Sequence, residues 1–245
     1  MKSPRLILLG ASGRMGQAVQ SAASELGLTI GATVSLGDDL AAALSQGDVV
    51  IDFSTAETTG PLLDLAIARN LPVVIGTTGH SAEARAALLA KAAQVPTVWA
   101  GNFSVGVNLL FALTARAAQA LDSSFDVELV EMHHKHKKDA PSGTAARLLE
   151  LLLEARSLQS DAVRHGREGI TGERTVNEIG VHALRGGDVI GDHTVLFAGP
   201  GERLELTHKA SDRLIFARGA LRAARWLVHQ PAGLYDMQDV LGLKS

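Results

Sequence analysis

Leu6-Ile7-Leu8-Leu9-Gly10-Ala11-Ser12-Gly13-Arg14-Met15-Gly16 is the stretch that decides the fold of the first half of the chain. A four-residue apolar run stops at a glycine, and a turn of small residues opens an alanine-rich amphipathic stretch. Such a run suits a strand buried on both faces, followed by a helix. Glycines at this junction let the backbone approach a pyrophosphate, whose charge then meets the free N–H groups of the helix N-terminus. The spacing is Gly-x-x-Gly-x-x-Gly, not the commoner Gly-x-Gly-x-x-Gly, so the glycines alone are a weak sign that a mere tight turn would also give. Their place between a strand and a helix makes Gly10, Ala11, Ser12, Gly13, Arg14 and Met15 candidates for holding a nucleotide. Arg14 is placed to reach a phosphate, or to serve as an ordinary solvated helix residue.

The same unit recurs downstream. Apolar runs at 29–34, 49–51, 73–75 and 97–99 alternate with helical stretches. This alternation predicts a Rossmann-like, doubly wound parallel sheet. The runs end in Asp52-Phe53-Ser54-Thr55, Gly76-Thr77-Thr78-Gly79 and Gly101-Asn102-Phe103-Ser104. Ligands of open α/β sheets sit off the carboxyl ends of the strands, so these segments and the first glycine turn should converge on one crevice. An acid closing strand two would bind the ribose hydroxyls of NADH. Here that strand closes with Val34-Ser35-Leu36, and Asp38 and Asp39 come late. Without the acid there is less repulsion against a 2′-phosphate, which favours NADPH over NADH.

Composition sets the outer limits. The 245 residues are enough for one large domain or two modest ones, and 46% hydrophobic with 20% charged residues is an ordinary globular balance. A net charge of −3 argues against a nucleic-acid partner. The absence of cysteine excludes disulfides, thiol nucleophiles and thiolate metal sites. The apolar run after Arg5 is too short for a signal-peptide core, and no run approaches the ~20 residues of a membrane span. The expectation is a cytoplasmic protein with no membrane association.

The pattern changes near residue 105. Residues 105–121 read as a helix, 125–132 as a strand and 143–155 as a helix. Strand candidates follow at 179–184, 194–198 and 203–207, the last two joined by the turn Gly199-Pro200-Gly201-Glu202. Clustered strands of alternating polarity predict a C-terminal α+β domain with a mixed sheet. The helical tail at 215–228 is expected to rejoin the first domain. The resulting division is 1–104 with 213–245 as the dinucleotide-binding domain, and 105–212 for substrate binding and oligomerisation.

The most informative segment is Glu131-Met132-His133-His134-Lys135-His136-Lys137-Lys138-Asp139-Ala140-Pro141-Ser142-Gly143-Thr144-Ala145. Three histidines and three lysines within six residues create a dense positive field at a strand end. Metal binding is one reading, but interleaved ammonium groups repel a cation. An exposed basic loop without a role is another. An anion-binding acid–base site accounts for more, because histidine titrates near neutrality and a lysine among cations can also donate a proton. Pro141 is expected in the first turn of the following helix, with Ser142 as its cap. First-turn amides at Gly143 and Thr144, with two hydroxyls, suit a carboxylate.

The 131–145 segment resembles the signature of dihydrodipicolinate reductases, and the similarity extends over nearly the whole chain. The segments 10–16, 52–54, 76–79 and 102–104 are similar to the family's cofactor domain, and 167–174 and 208–213 to its later motifs. The resemblance implies reduction of a small cyclic dicarboxylate to tetrahydrodipicolinate in diaminopimelate and lysine biosynthesis, with hydride from NADPH or NADH. It implies His133 and Lys137 as the acid–base pair, Lys137 donating the proton. His134, Ser142, Gly143 and Thr144 would bind substrate carboxylates. Residues 10–15 would hold the cofactor's phosphates, Gly76, Thr77 and Thr78 would line the nicotinamide side, and Ala100, Gly101, Asn102 and Phe103 would close over it. It also implies a homotetramer built through second-domain sheets; the expectation of no metal rests on the interleaved ammonium groups. Ser35 and Leu36 depart from the family, standing where many members carry an acid–arginine pair.

Two other readings remain. An amino-acid or semialdehyde dehydrogenase of similar build would show another acid–base set or a cysteine nucleophile, and the lack of cysteine excludes the semialdehyde type. A nucleotide-sensing module would have the fold without the chemistry, and loss of the His/Lys cluster would mark it.

Overall fold

The computed structural model describes residues 3–244. They divide into two compact units, one running to Val105 and resuming at Arg213, the other Gly106–Asp212.

The first unit carries strands β1 (Leu6–Leu9), β2 (Ile30–Val34), β3 (Val49–Asp52), β4 (Val73–Ile75) and β5 (Pro96–Trp99). They alternate with helices α1 (Arg14–Glu25), α2 (Leu40–Ala43), α3 (Ala56–Arg69) and α4 (Ala82–Ala92). Helix α5 (Val105–Ala120) leads into the second unit, which holds β6 (Asp126–His133), α6 (Gly143–Arg156), β7 (Val163–His165), β8 (Ile179–Arg185), β9 (Gly191–Gly199) and β10 (Glu202–Ala210). Helix α7 (Leu214–Leu227), β11 (Gly233–Tyr235) and α8 (Met237–Leu241) return to the first.

The first sheet has the order β11-β5-β4-β3-β1-β2, and every pairing is parallel. Its strands are apolar throughout because both faces are covered. Leu6, Leu8, Val49 and Ile51 point into one core with Val19 and Ala22 of α1 and Ala220 and Leu221 of α7. Ile7, Leu9, Val50 and Val73 point into another with Leu62, Leu63 and Ala66 of α3. Each fully buried leucine contributes about 1.5–3 kcal/mol, which outweighs the weak local preferences of these short strands. Helix α7 carries the later part of the chain into the first unit, its apolar face sharing the core of α1.

The second sheet is mixed, in the order β10-β9-β6-β8-β7. Strands β10, β9 and β6 pair antiparallel, and β6, β8 and β7 pair parallel. One face packs under α5 and α6, where Val127, Leu129, Val181, Val195 and Phe197 meet Leu110, Leu148 and Leu152. Strand β6 alternates strictly, with Val127, Leu129, Glu131 and His133 buried. The last two of these four buried positions are therefore polar. Among the described residues no helix is long and apolar enough to cross a membrane.

Candidate active site

In the first unit the loops after β1, β3, β4 and β5 leave the same edge of the sheet, since those strands are adjacent and parallel. Gly10 has φ +74°, and a Cβ there would come 2.4 Å from the Phe53 carbonyl oxygen, a backbone atom. Gly16 is equally tight, since a Cβ would lie 2.2 Å from the Gly10 oxygen. Gly13 is the N-cap of α1 and offers the first turn no side-chain partner. These features form a bare backbone cradle at a helix N-terminus, which fits a pyrophosphate. Arg14 and Ser12 are exposed beside it, Met15 is half-buried and Ala11 is buried.

Gly76, Thr77 and Thr78 follow β4. Thr77 is buried with its hydroxyl donating to the Asp52 carbonyl at 3.5 Å, and Thr78 is exposed. Sequence reasoning passed over Phe53 as a site residue. Its ring fills the space a Gly76 Cβ would occupy, at 2.1 Å, and meets Phe103 edge-on at a centroid distance of 5.7 Å. Phe53 thus binds the loops after β1, β4 and β5 together. Phe103 itself is buried in the core, Gly101 is exposed, and the Asn102 side chain accepts from the Ser104 amide at 2.8 Å. The two late acids after β2 are engaged locally. Asp38 accepts from the Ser35 amide at 2.7 Å, and Asp39 caps α2 through the Ala42 amide at 3.0 Å. Asp52 is buried, and burial pushes its carboxyl above the ordinary range despite hydrogen bonds from Ser54.

In the second unit the cationic cluster separates. His133 is buried, His134 and Lys137 are half-buried, and Lys135, His136 and Lys138 are exposed. Lys137 pairs with Asp139 at 2.9 Å. The segment does not coil at random. The His134 amide donates to the Val189 carbonyl at 2.7 Å and the Lys137 amide to the His134 carbonyl at 3.1 Å. Among the described residues no group of three or more histidines or acids is arranged as metal ligands.

The centre of the site is Glu131, which the sequence reading quoted without a role. It is fully buried, and its Oε2 lies 2.5 Å from Nδ1 of His133. Arg185 donates to both carboxylate oxygens at 2.9 Å each, and the Ser142 amide donates to Oε1 at 3.1 Å. Burial alone would raise the Glu131 pKa, but the hydrogen bonds from Arg185 and His133 outweigh it and hold the carboxyl below the ordinary range. His193, also passed over, packs edge-on against His133 with ring centroids 5.2 Å apart. Burial first, then the His133 charge, lowers its pKa to about 4, so it is neutral near pH 7.

Ser142 caps α6 as expected, its hydroxyl accepting from the Ala145 amide at 3.1 Å. Pro141, expected in the first turn, stands outside the helix before the cap. The reason is the hydroxyl, which places Ser142 and not Pro141 at the position whose side chain satisfies the first turn. Gly143 opens α6 in exposed space, with nothing within 4 Å of a Cβ built there, and Thr144 follows half-buried. The structure therefore joins His133, Ser142 and the start of α6 through one carboxylate.

Two family models cover the chain. Residues 4–103 match "Dihydrodipicolinate reductase, N-terminus", and residues 106–241 match "Dihydrodipicolinate reductase, C-terminus". The chain is 55% identical over 242 residues to the 4-hydroxy-tetrahydrodipicolinate reductase of Akkermansia muciniphila, covering 98% of both chains. It is 51% identical to the one from Anaeromyxobacter sp., covering 98% of this chain and 90% of the relative. The fold is that of a dipicolinate-bound dihydrodipicolinate reductase from Paenisporosarcina sp. TG-14, with a TM-score of 0.76 at 24% identity over 97% of this chain and 99% of that one. The chain belongs to the dihydrodipicolinate reductase family and is an oxidoreductase served by a pyridine nucleotide.

Proposed function

We propose that the chain reduces 4-hydroxy-tetrahydrodipicolinate to tetrahydrodipicolinate in the cytoplasmic synthesis of diaminopimelate and lysine. The observation that carries this reading is the pairing of a buried histidine, His133, with the N-terminus of α6 through the shared carboxylate of Glu131. One half takes part in proton transfer and the other seats an anion.

Substrate and product differ by one hydroxyl, so over the reaction a C–OH becomes a C–H. One hydride and one proton enter, and one water leaves. The nucleotide supplies the hydride when bound. Gly10, Ala11, Ser12, Gly13, Arg14 and Met15 hold its phosphates, Gly76, Thr77 and Thr78 line its nicotinamide side, and Ala100, Gly101, Asn102 and Phe103 close over it. The substrate carboxylates are held by His134, the Ser142 hydroxyl and the Gly143 and Thr144 amides, where the helix dipole favours negative charge. His133 and Lys137 are the acid–base pair, and Lys137 delivers the proton. Their cationic surroundings stabilise the negative charge that develops on the ring as hydride arrives.

NADPH is the preferred donor, because the acids after β2 are tied into local turns and Leu36 is exposed where a ribose-binding acid would stand. The protein works as a homotetramer through its second-unit sheets, supported by Leu184 and Leu204, which those strands leave exposed.

The test is oxidation of NADPH and NADH, measured separately, with substrate generated in place from pyruvate and aspartate semialdehyde. Substrate-dependent oxidation that pyridine-2,6-dicarboxylate blocks is expected, faster with NADPH. Nucleotide binding without oxidation would favour the sensor reading instead.

A further inference from the structure

We propose that Glu131 is the positioning residue of the reaction, a buried carboxylate that fixes His133 in the tautomer protonated on Nδ1 and so presents Nε2 as its reactive nitrogen. The proposal rests on the reading of His133 as a proton-transfer group.

The argument begins with the parity of β6. Side chains two apart on a strand share a face, so Glu131 and His133 both enter the buried side that Val127 and Leu129 begin. An ionised carboxylate only accepts hydrogen bonds, so at 2.5 Å the proton between the two groups belongs to Nδ1. When His133 is neutral its free lone pair is therefore on Nε2, and when it is charged the transferable proton is there.

The space around Nε2 is kept open by a second feature. A Cβ on Gly191 of β9 would lie 3.0 Å from Nε2, so a glycine is what leaves this nitrogen uncovered. Gly191 is itself buried.

The remaining valences of the carboxylate explain why the arrangement is stable. A buried unpaired carboxylate costs several kcal/mol. Glu131 avoids this through the two-pronged bond from Arg185 and the amide of Ser142. Arg185 also donates to the Asp139 carbonyl at 2.7 Å, which ties down the loop between the strand and α6. Proton-transfer group and anion seat are thereby held at a fixed spacing, the condition for an oriented proton transfer.

Glu131→Gln is nearly isosteric but cannot accept all four bonds, and it turns a donor toward one of its partners. Three measurements are made on the full-length protein. Histidine ¹⁵N spectra, with His133 assigned by comparison with His133→Ala, should show the Nδ1-protonated form in the native protein and a mixture with the Nε2-protonated form in the variant. Turnover should fall at least about tenfold, within the roughly ten-thousandfold seen when a histidine loses its orienting carboxylate. The dissociation constant of NADPH should stay within about twofold. Glu131→Gln should then add nothing to His133→Ala.

An unchanged tautomer, or an undiminished additional loss in the His133→Ala background, would overturn the proposal and make Glu131 a structural residue alone. Full turnover in His133→Ala by itself would instead remove the reading of His133 on which the proposal stands. Should the single variant not fold, Glu131→Gln/Arg185→Gln removes both charges together and leaves no buried ion unpaired. It must show the same tautomer mixture and the same loss of turnover.

Discussion

The hydroxyl oxygen of Ser142 lies 3.0 Å from Nε2 of His193, a residue 51 positions later in the chain. The same oxygen accepts from the Ala145 amide. If His193 carries its proton on Nε2, Ser142 accepts twice, and its own hydroxyl proton is left for a substrate carboxylate. Ser142→Ala should therefore have two separable effects. Loss of the cap should cost about 0.5–2 kcal/mol in urea unfolding. The inhibition constant of pyridine-2,6-dicarboxylate should rise about tenfold, the scale of one hydrogen bond to a charged group. A stability loss with unchanged inhibition would confine Ser142 to capping.

His193 also gives the fold a definite acid sensitivity. Burial, reinforced by the His133 charge, lowers its pKa from 6.5 to about 4. The unfolded chain takes up a proton there below pH 6.5, whereas the folded chain does not until about pH 4. Stability should therefore fall as pH drops through that window, by up to about 1.4 kcal/mol per pH unit. Glu128 acts at lower pH. Burial would raise its pKa, but hydrogen bonds from Arg167, His182 and Arg174 hold it at about 2. Its contribution is complete above pH 4.5 and is lost as pH falls toward 2. Urea midpoints of His193→Gln should be flatter between pH 6.5 and 4 than those of the native protein, and an unaltered slope would assign the acid sensitivity elsewhere.

Lys137 presents a cleaner division between chemistry and binding. Its ammonium pairs with the exposed carboxylate of Asp139, and it belongs to the second unit, whereas the glycine cradle after β1 belongs to the first. Lys137→Ala should lower turnover by about two to four decades, the range of a general acid. NADPH affinity, followed by nucleotide fluorescence, should change by no more than about twofold. Comparable losses in both would make Lys137 a support for its loop.

How far these features were legible depends on what each segment packs against. Leu6–Leu9 and Val49–Asp52 announced themselves because burial on both faces requires continuous apolar runs. β7 and β11 did not, since three residues carry no period and each exists only by pairing along the edge of a sheet. Glu131 was hidden for a different reason. An acid in an alternating strand reads as solvent-facing, yet it shares the parity of Val127, Leu129 and His133. Counting positions back from the histidine would have exposed it. Arg185 and His193 reach the site from β8 and β9, and no local pattern links them to residue 131. Phe53 stood in a strand-end segment without a role of its own, because only the absent side chains of Gly10 and Gly76 show what it holds together.

Gly10 allows that last point to be tested against a control within the same helix unit. Gly10 and Gly27 both adopt positive φ, +74° and +64°, so alanine is strained at either position. The strain itself costs about 1–3 kcal/mol. Only at Gly10 does the new Cβ also meet a backbone oxygen, that of Phe53 at 2.4 Å, while at Gly27 nothing lies within 4 Å. Gly27→Ala should therefore show the conformational cost alone in urea unfolding and bind NADPH normally. Gly10→Ala should lose more stability, because the backbone just after β1 and just after β3 must separate, and that movement displaces the amides at the start of α1. Its NADPH affinity should fall at least about tenfold. Equal stabilities with equal affinities in the two variants would mean that the close approach of Gly10 to Phe53 is incidental to nucleotide binding.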